Sequence, residues 1–191
     1  MQIDLSRRFE GQNGSRCLMT VDGTDFMTFE PGVFDPKWYS EKFNGPGLRY
    51  EVGICIQTGY IVWVNGPFPC GSWSDGRISY ECISSILEPW EFYIADKGYG
   101  GPFSITPSRN PLERKNDPYE KMMGKARARH ETINRRLKEF GCLRNKWRHG
   151  LLLHYRTFRV CANLVQFKLE YEGLAFHVHY DDKPYLKYCP R

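Results

Sequence analysis

Three acidic side chains stand at positions in this 191-residue chain where carboxylates can do chemistry. Asp22 closes the apolar run Leu18-Met19-Thr20-Val21, and Asp96 follows the β-rich run Phe92-Tyr93-Ile94-Ala95 and opens a glycine turn, Asp96-Lys97-Gly98-Tyr99. Glu131 lies 35 positions after Asp96, inside an arginine-studded helical stretch. Carboxylates from two strand ends and one helix can share two divalent ions about 3.5 to 4 Å apart, which activate a nucleophile and stabilise a leaving oxygen in phosphodiester chemistry. Taken singly, each acid also fits a cap, a turn or a surface ion pair. The expectation of a metal site therefore rests on the three together.

The charge pattern points toward a polyanion. Net charge is +5, yet residues 121–159 hold twelve Lys or Arg against Glu131 and Glu139, a local excess of +10 that leaves the remainder at −5. Trp147, Tyr155 and Phe158 are interleaved with these cations, a composition that suits phosphate neutralisation with counterion release. A solvated helix face is the plainer explanation of a charge run.

The elements that would carry these residues are readable from periodicity and turn chemistry. Cys17 to Val21 reads as a first strand that turns at Asp22-Gly23-Thr24-Asp25, and residues 31–47 as a loop anchored by Phe34, Trp38, Tyr39 and Phe43. Leu48 to Gln57 and Tyr60 to Val64 form a hairpin across Thr58-Gly59, closed by Asn65-Gly66-Pro67. Ser74-Asp75-Gly76 starts a helix reaching about Leu87, Pro89 stops it, and Phe92 to Ala95 is a further strand. After a loop over about 100–118, Asp117-Pro118 starts a long helix ended by Gly141, with Ala126, His130, Ile133, Leu137 and Phe140 as its buried stripe. Leu151 to Tyr171 is another helix, with Leu152, Phe158, Cys161, Val165 and Leu169 in the core, and Phe176, Val178 and Tyr180 fit a last strand. This order describes one domain over residues 1–191, an α/β sandwich around a mixed sheet of about five strands flanked by helices.

The motifs resemble those of DDE transposases of the Harbinger type and of bacterial insertion-sequence enzymes, from about Asp22 to Lys138. Val21-Asp22-Gly23-Thr24 looks like the first-aspartate motif, and Pro67 to Asp75 resembles a glycine- and serine-containing segment that ends in a non-catalytic aspartate. Asp96-Lys97-Gly98-Tyr99 is similar to the D-x-G-Y signature, and Arg127, Glu131 and Lys138 fit the last three positions of Y-x2-R-x3-E-x6-K, with Gly124 in place of the tyrosine. The resemblance implies a ribonuclease-H-like sandwich. It also implies Asp22, Asp96 and Glu131 as catalytic ligands of two Mg²⁺ or Mn²⁺ ions, and Arg127, Arg135 and Lys138 as DNA-binding residues. The implied reaction is hydrolysis of a DNA phosphodiester, with strand transfer by a 3′-hydroxyl. Such transposases usually carry an N-terminal helical DNA-binding region, and only 21 residues precede Asp22. The chain is therefore expected to be a catalytic domain without its DNA-binding region: a fragment of a degraded element, a truncated gene model, or a host-retained copy that works with a separate DNA-binding partner. A homo-oligomer is a further partner expectation.

Other classes fit less of the chain. A non-catalytic transposase-derived DNA-binding or protein-interaction module would use the basic helix without the acids, and a carboxylate-pair glycosidase would leave the +10 segment without a role. His177 and His179 alternate along an apparent strand, but one His-x-His is too common a spacing to carry a metal site. The seven cysteines are scattered and odd in number, contain no C-x-x-C pair, and are read as reduced thiols. With no apolar run of membrane-spanning length and no signal-peptide core, a soluble intracellular protein is expected, nuclear if eukaryotic.

Overall fold

A computed structural model of the protein describes residues 3–29, 32–174 and 176–188. The chain runs β1 (Cys17–Met27), β2 (Tyr39–Ser40), β3 (Gly45–Cys55), β4 (Ile61–Pro69), α1 (Asp75–Glu81), β5 (Phe92–Ala95), β6 (Ser104–Ile105), α2 (Pro111–Asn116), α3 (Pro118–Glu139), α4 (Gly141–Arg144) and α5 (Leu151–Glu172). The strands form one six-stranded sheet in the order β2-β3-β1-β5-β6, with β4 also paired to β3. β1 is central: it pairs antiparallel with β3 and parallel with β5, which pairs parallel with β6. The sheet is thus mixed and helix-flanked, of the α/β class and consistent with a ribonuclease-H-like fold.

β1 outruns its expected end. Asp22-Gly23-Thr24-Asp25 has the composition of a turn, yet every one of these residues pairs with β3, from Asp22↔Val52 to Asp25↔Arg49. Arg49 then neutralises the buried Asp25 through two contacts of 2.7 and 3.0 Å, which makes an acidic strand residue tolerable here. Asp22 is therefore mid-strand. What ends beside it is the pairing with β5, whose last register pair is Val21↔Ala95.

β4 likewise continues through Asn65-Gly66-Pro67 instead of closing there. A bulge between Arg49↔Phe68 and Glu51↔Asn65 absorbs the extra residues, and Gly66 has φ +123°, where a Cβ would stand 2.8 Å from the Arg49 carbonyl oxygen. β5 occupies the four residues expected of it. β6 and α2, by contrast, lie within the stretch read as loop. The helix expected to reach Leu87 is α1 followed by a 3-10 turn at Ile83–Ser85, and Ser74 Oγ caps its start by accepting from Arg77 N at 3.2 Å.

α3 begins as expected, with Asp117 Oδ1 accepting from Tyr119 N at 2.7 Å and Pro118 in the first turn. Phe176 to Tyr180 forms no strand. The Tyr180 carbonyl accepts instead from the side chains of Asn13, at 2.7 Å, and Gln57, at 3.0 Å. Of the four aromatic anchors expected in the 31–47 loop, Trp38 is buried, Phe43 is half-buried, and Phe34 and Tyr39 are exposed.

Strand alternation sorts the core into layers. Phe26, Leu48, Tyr50, Val52 and Ile54 face α3 and α5, meeting Ile133, Leu137, Phe158, Cys161, Val165 and Leu169. Met19, Val21, Cys55, Tyr93 and Ala95 face the other way, toward Ile83, Ile86 and Leu87 beyond α1. Cys17, Phe92 and Ile94 pack with Tyr119, Met123 and Ala126 of α3 and with Val178 and Tyr180. Of the residues expected in the α5 core, Leu152 is 65% exposed, because the apolar stripe of α5 starts at His154. His154 stacks on Tyr50, and Tyr50 Oη lies 2.8 Å from its Nδ1, while its Nε2 is buried without a partner. Burial holds its pKa down at about 4.

α1 docks on the sheet through Asp75. A Cβ on Gly23 would lie 2.6 Å from Asp75 Oδ1, and one on Gly98 would lie 3.3 Å from Oδ2, so both glycines admit this carboxylate. Arg49 Nη1 lies 3.0 Å from Asp75 Oδ1, an ion pair without hydrogen-bond geometry.

Two measurements check these packings. Gly23→Ala is expected to cost about 1–3 kcal/mol in urea unfolding, and much less in an Asp75→Ala background; equal cost in both backgrounds would rule out the steric account. For His154, between about pH 6.5 and its folded pKa the unfolded chain binds a proton that the folded chain does not. Stability from this group therefore falls with acidification by up to about 1.4 kcal/mol per pH unit. His154→Leu should gain on the parent protein by that amount as pH drops from 6.5 toward 4, and a pH-independent difference would refute the neutral buried ring. Asp22 and Glu51, which burial pushes the opposite way, cancel in this difference.

Candidate active site

The two aspartates are brought together by register. Val21 faces Ala95 across parallel strands, so Asp22 and Asp96 are the next residues on each, side by side where that pairing stops. Alternation turns both the same way. Thr20 and Ile94, two positions earlier, pack toward α3, whereas Val21 and Ala95 pack toward the opposite layer.

α3 crosses this face and contributes Gly124, Arg127, Ala128, His130 and Glu131, which with Val21, Asp22 and Asp96 line a cavity of about 280 Å³. All three predicted carboxylates thus reach one cavity. A larger opening of about 540 Å³ lies beside β2, but its Arg49 is already engaged by Asp25 and Asp75.

The three acids differ in environment. Asp22 is half-buried; its Oδ1 accepts from Gly23 N at 2.9 Å and its Oδ2 from Asn134 Nδ2 at 3.3 Å. Burial pushes its pKa up to about 6, with Asp75 adding to the rise and Lys42, the Gly23 amide and Arg127 opposing it. Asp96 is exposed and is held by Arg127, whose Nη2 lies 2.9 Å from Oδ1. Glu131 is exposed and, among the described residues, has neither an ion-pair nor a hydrogen-bond partner. Beside it His130 is buried, its Nε2 3.4 Å from Thr20 Oγ1 and its Nδ1 unpartnered. Burial, and then Arg127, keep this ring neutral with a pKa of about 3.

Of the predicted basic residues, only Arg127 lines the cavity. Lys138 is one turn beyond Asn134, with its Nζ 5.6 Å from the Phe26 ring centroid. Burial and Lys42 disfavour its charge, against the pull of Asp25 and Asp22. Arg135 is exposed and does not line the cavity: it lies one turn beyond Glu131 along α3, past the stretch from Gly124 to Glu131 that forms the lining.

Sequence reasoning missed Asn134, whose position three residues after Glu131 on one helix was the available signal, and Lys42, for which a loop position offered none.

Three carboxylates form a hard oxygen donor set that fits Mg²⁺ or Mn²⁺ and poorly fits softer metals. As the side chains stand, no three His, Cys, Asp or Glu among the described residues lie close enough together to hold an ion. Arg127 occupies Asp96 instead. His177 and His179 are exposed and belong to no such group. The six described cysteines are free, and Cys189 lies outside the described residues. Among the described residues no helix is long and apolar enough to cross a membrane.

No protein-family profile and no solved structure matches the chain. Among curated proteins, it is 28% identical over 172 residues to the probable transposase for insertion sequence element IS702 of Microchaete diplosiphon. The match covers 81% of this chain and 57% of that protein, so the chain spans little more than half the length of the insertion-sequence transposase it is similar to.

Proposed function

We propose that the chain is the catalytic part of a DDE-type transposase, cutting DNA phosphodiesters with two Mg²⁺ or Mn²⁺ ions held by Asp22, Asp96 and Glu131. The observation that carries this reading is the convergence of these three carboxylates, from β1, the end of β5 and α3, on one 280 Å³ cavity. The likeness to an insertion-sequence transposase supports DNA transposition as the process, and the Harbinger-like motifs supply the finer assignment. The ions would supply Lewis acidity and an activated water or 3′-hydroxyl.

The chain's own residues do the rest. Asn134 and the Gly23 amide orient Asp22, and neutral His130 adds no competing positive charge. Arg127 is the counterion of Asp96 and would be free to bind a DNA phosphate with a cation held at Asp96.

The Arg127–Asp96 ion pair favours one competing reading, a non-catalytic DNA-binding module in which the acids are internally neutralised. Two experiments separate the readings. Asp96→Asn is expected to reduce Mg²⁺- or Mn²⁺-dependent nicking of a plasmid by at least about 100-fold. Its unfolding free energy should change by under about 1 kcal/mol, since the side chain is exposed. Undiminished nicking in the variant would sink the metal-triad assignment, and absence of nicking in the parent protein would favour the binding module. Arg127→Gln should bind Mn²⁺ several-fold more tightly by titration calorimetry, while its DNA affinity loses about one unit of salt slope. Unchanged Mn²⁺ affinity would show that Arg127 does not gate the site.

A further inference from the structure

Where β1 runs out, an aromatic and cationic surface is displayed that the carboxylate cavity does not use. Beyond Met27 the chain pairs with the segment after α4: Trp147 N donates to Met27 O and Phe29 N donates to Trp147 O, both at 2.9 Å, with Thr28 and Trp147 in a parallel bridge. This bridge sets the alternation of the partner segment. Trp147 turns inward, buried against His154 and donating from Nε1 to Gly150 O at 3.2 Å. Its neighbours turn outward onto Phe29, with Lys146 Nζ 4.5 Å and the Arg148 guanidinium carbon 5.2 Å from the ring centroid.

The Phe29 ring is 46% exposed, so it serves no core. Its two cations are also uncommitted: among the described residues neither Lys146 nor Arg148, nor the nearby Arg144, makes an ion pair with an acid. From Phe140 to Arg159 the chain carries five Lys or Arg and no Asp or Glu. Lys146, Arg148 and His149 also border an open cavity of about 600 Å³.

We propose that Phe29, Lys146 and Arg148 form a docking site for single-stranded DNA, in which an unpaired base stacks against Phe29 while Lys146 and Arg148 bind the flanking phosphates. An exposed ring beside unpaired cations matches the two components of single-strand recognition, a stacking surface and backbone neutralisation. A duplex keeps its base faces stacked away and would engage only the cations. The inference rests on DNA being the substrate of the carboxylate cavity. Seven residues of extended chain separate Asp22 from Phe29, roughly 23 Å, so one DNA molecule can reach both places and a strand freed by cleavage can be held here.

The test uses fluorescence anisotropy of a labelled oligonucleotide of about 20 nucleotides, single-stranded or annealed to its complement. Phe29→Ala should weaken single-strand binding by about 5-fold or more with little effect on the duplex, and Phe29→Trp should restore it. Lys146→Ala with Arg148→Ala should weaken both and reduce the single-strand salt slope by about 1.4. Single-strand binding unaffected by Phe29→Ala overturns the inference, as does failure of the parent protein to bind the single strand. Neither result touches the cleavage reading, which stands or falls on metal-dependent nicking and its loss in Asp96→Asn.

Discussion

The register between β1 and β5 is the constraint on which the candidate site depends. The strands are parallel and their last pair is Val21↔Ala95, so each delivers an aspartate at the same level. A slip of one residue would send Asp22 to the opposite face, toward Asp75, and dissolve the constellation. What fixes the register is burial on both faces. Phe92 and Ile94 enter one core while Tyr93 and Ala95 enter another, and every residue of this four-residue strand is buried. Full burial of a large apolar side chain is worth about 1.5–3 kcal/mol, so a slipped β5 would lose several such contributions at once. The irregularity between Cys17 and Met19 adjusts β1 so that both strands meet these cores in phase.

The sheet also divides its acids by face, and the two faces neutralise them differently. Toward α1, Arg49 bridges Asp25 and Asp75. On the same side Glu51 is fully buried, receives the Trp63 indole N–H at 2.8 Å, and has its pKa pushed up to about 7 by burial. Asp25 and Asp75 are thus neutralised from within by a guanidinium, while Glu51 Oε1 and Asp75 Oδ1 have no hydrogen-bond partner among the described residues. Toward α3, among the described residues Asp22 has two hydrogen bonds and a raised pKa, Glu131 has no partner, and Asp96 relies on Arg127. Of the three, Glu131 alone presents a carboxylate without a partner among the described residues at this solvent-accessible cavity, which is the feature that the proposed cation-binding role would use.

Local signals made the site legible where local physics governs. β5 was readable because a β-branched and aromatic run is bounded by Glu91 and the glycine turn after Asp96, and α3 because Asp117 and Pro118 cap it and its apolar residues recur at helical spacing. The turn reading of Asp22-Gly23-Thr24-Asp25 failed because the partners that keep it extended are distant in sequence, Arg49 for Asp25 and Asp75 against Gly23. β4 passed through Gly66-Pro67 because a bulge against β3 accommodates them, which no local pattern announces. The alternation of Phe176 to Tyr180 predicted a strand; side chains of Asn13 and Gln57 bind its backbone in place of a neighbouring strand. Arg135 shares the side of α3 that carries Arg127 and Glu131 but lies one turn past the stretch that lines the cavity, a limit set by what packs beside the helix and not by its periodicity.

The proposed chemistry and the folding rest on different atoms of the same elements. α3 is held by Met123, Ala126, Ile133 and Leu137, all buried, while Arg127 and Glu131 project between them into the cavity. Asp96 likewise stands just past a strand whose stability comes from the four residues before it. Neither Asp96 nor Glu131 is buried, and the Arg127–Asp96 pair is exposed enough that its contribution to stability is at most about 1 kcal/mol. These acids therefore do little for the fold that positions them. Their substitution tests the proposed function separately from the fold, because the register and the helix stripe that place them do not depend on these side chains.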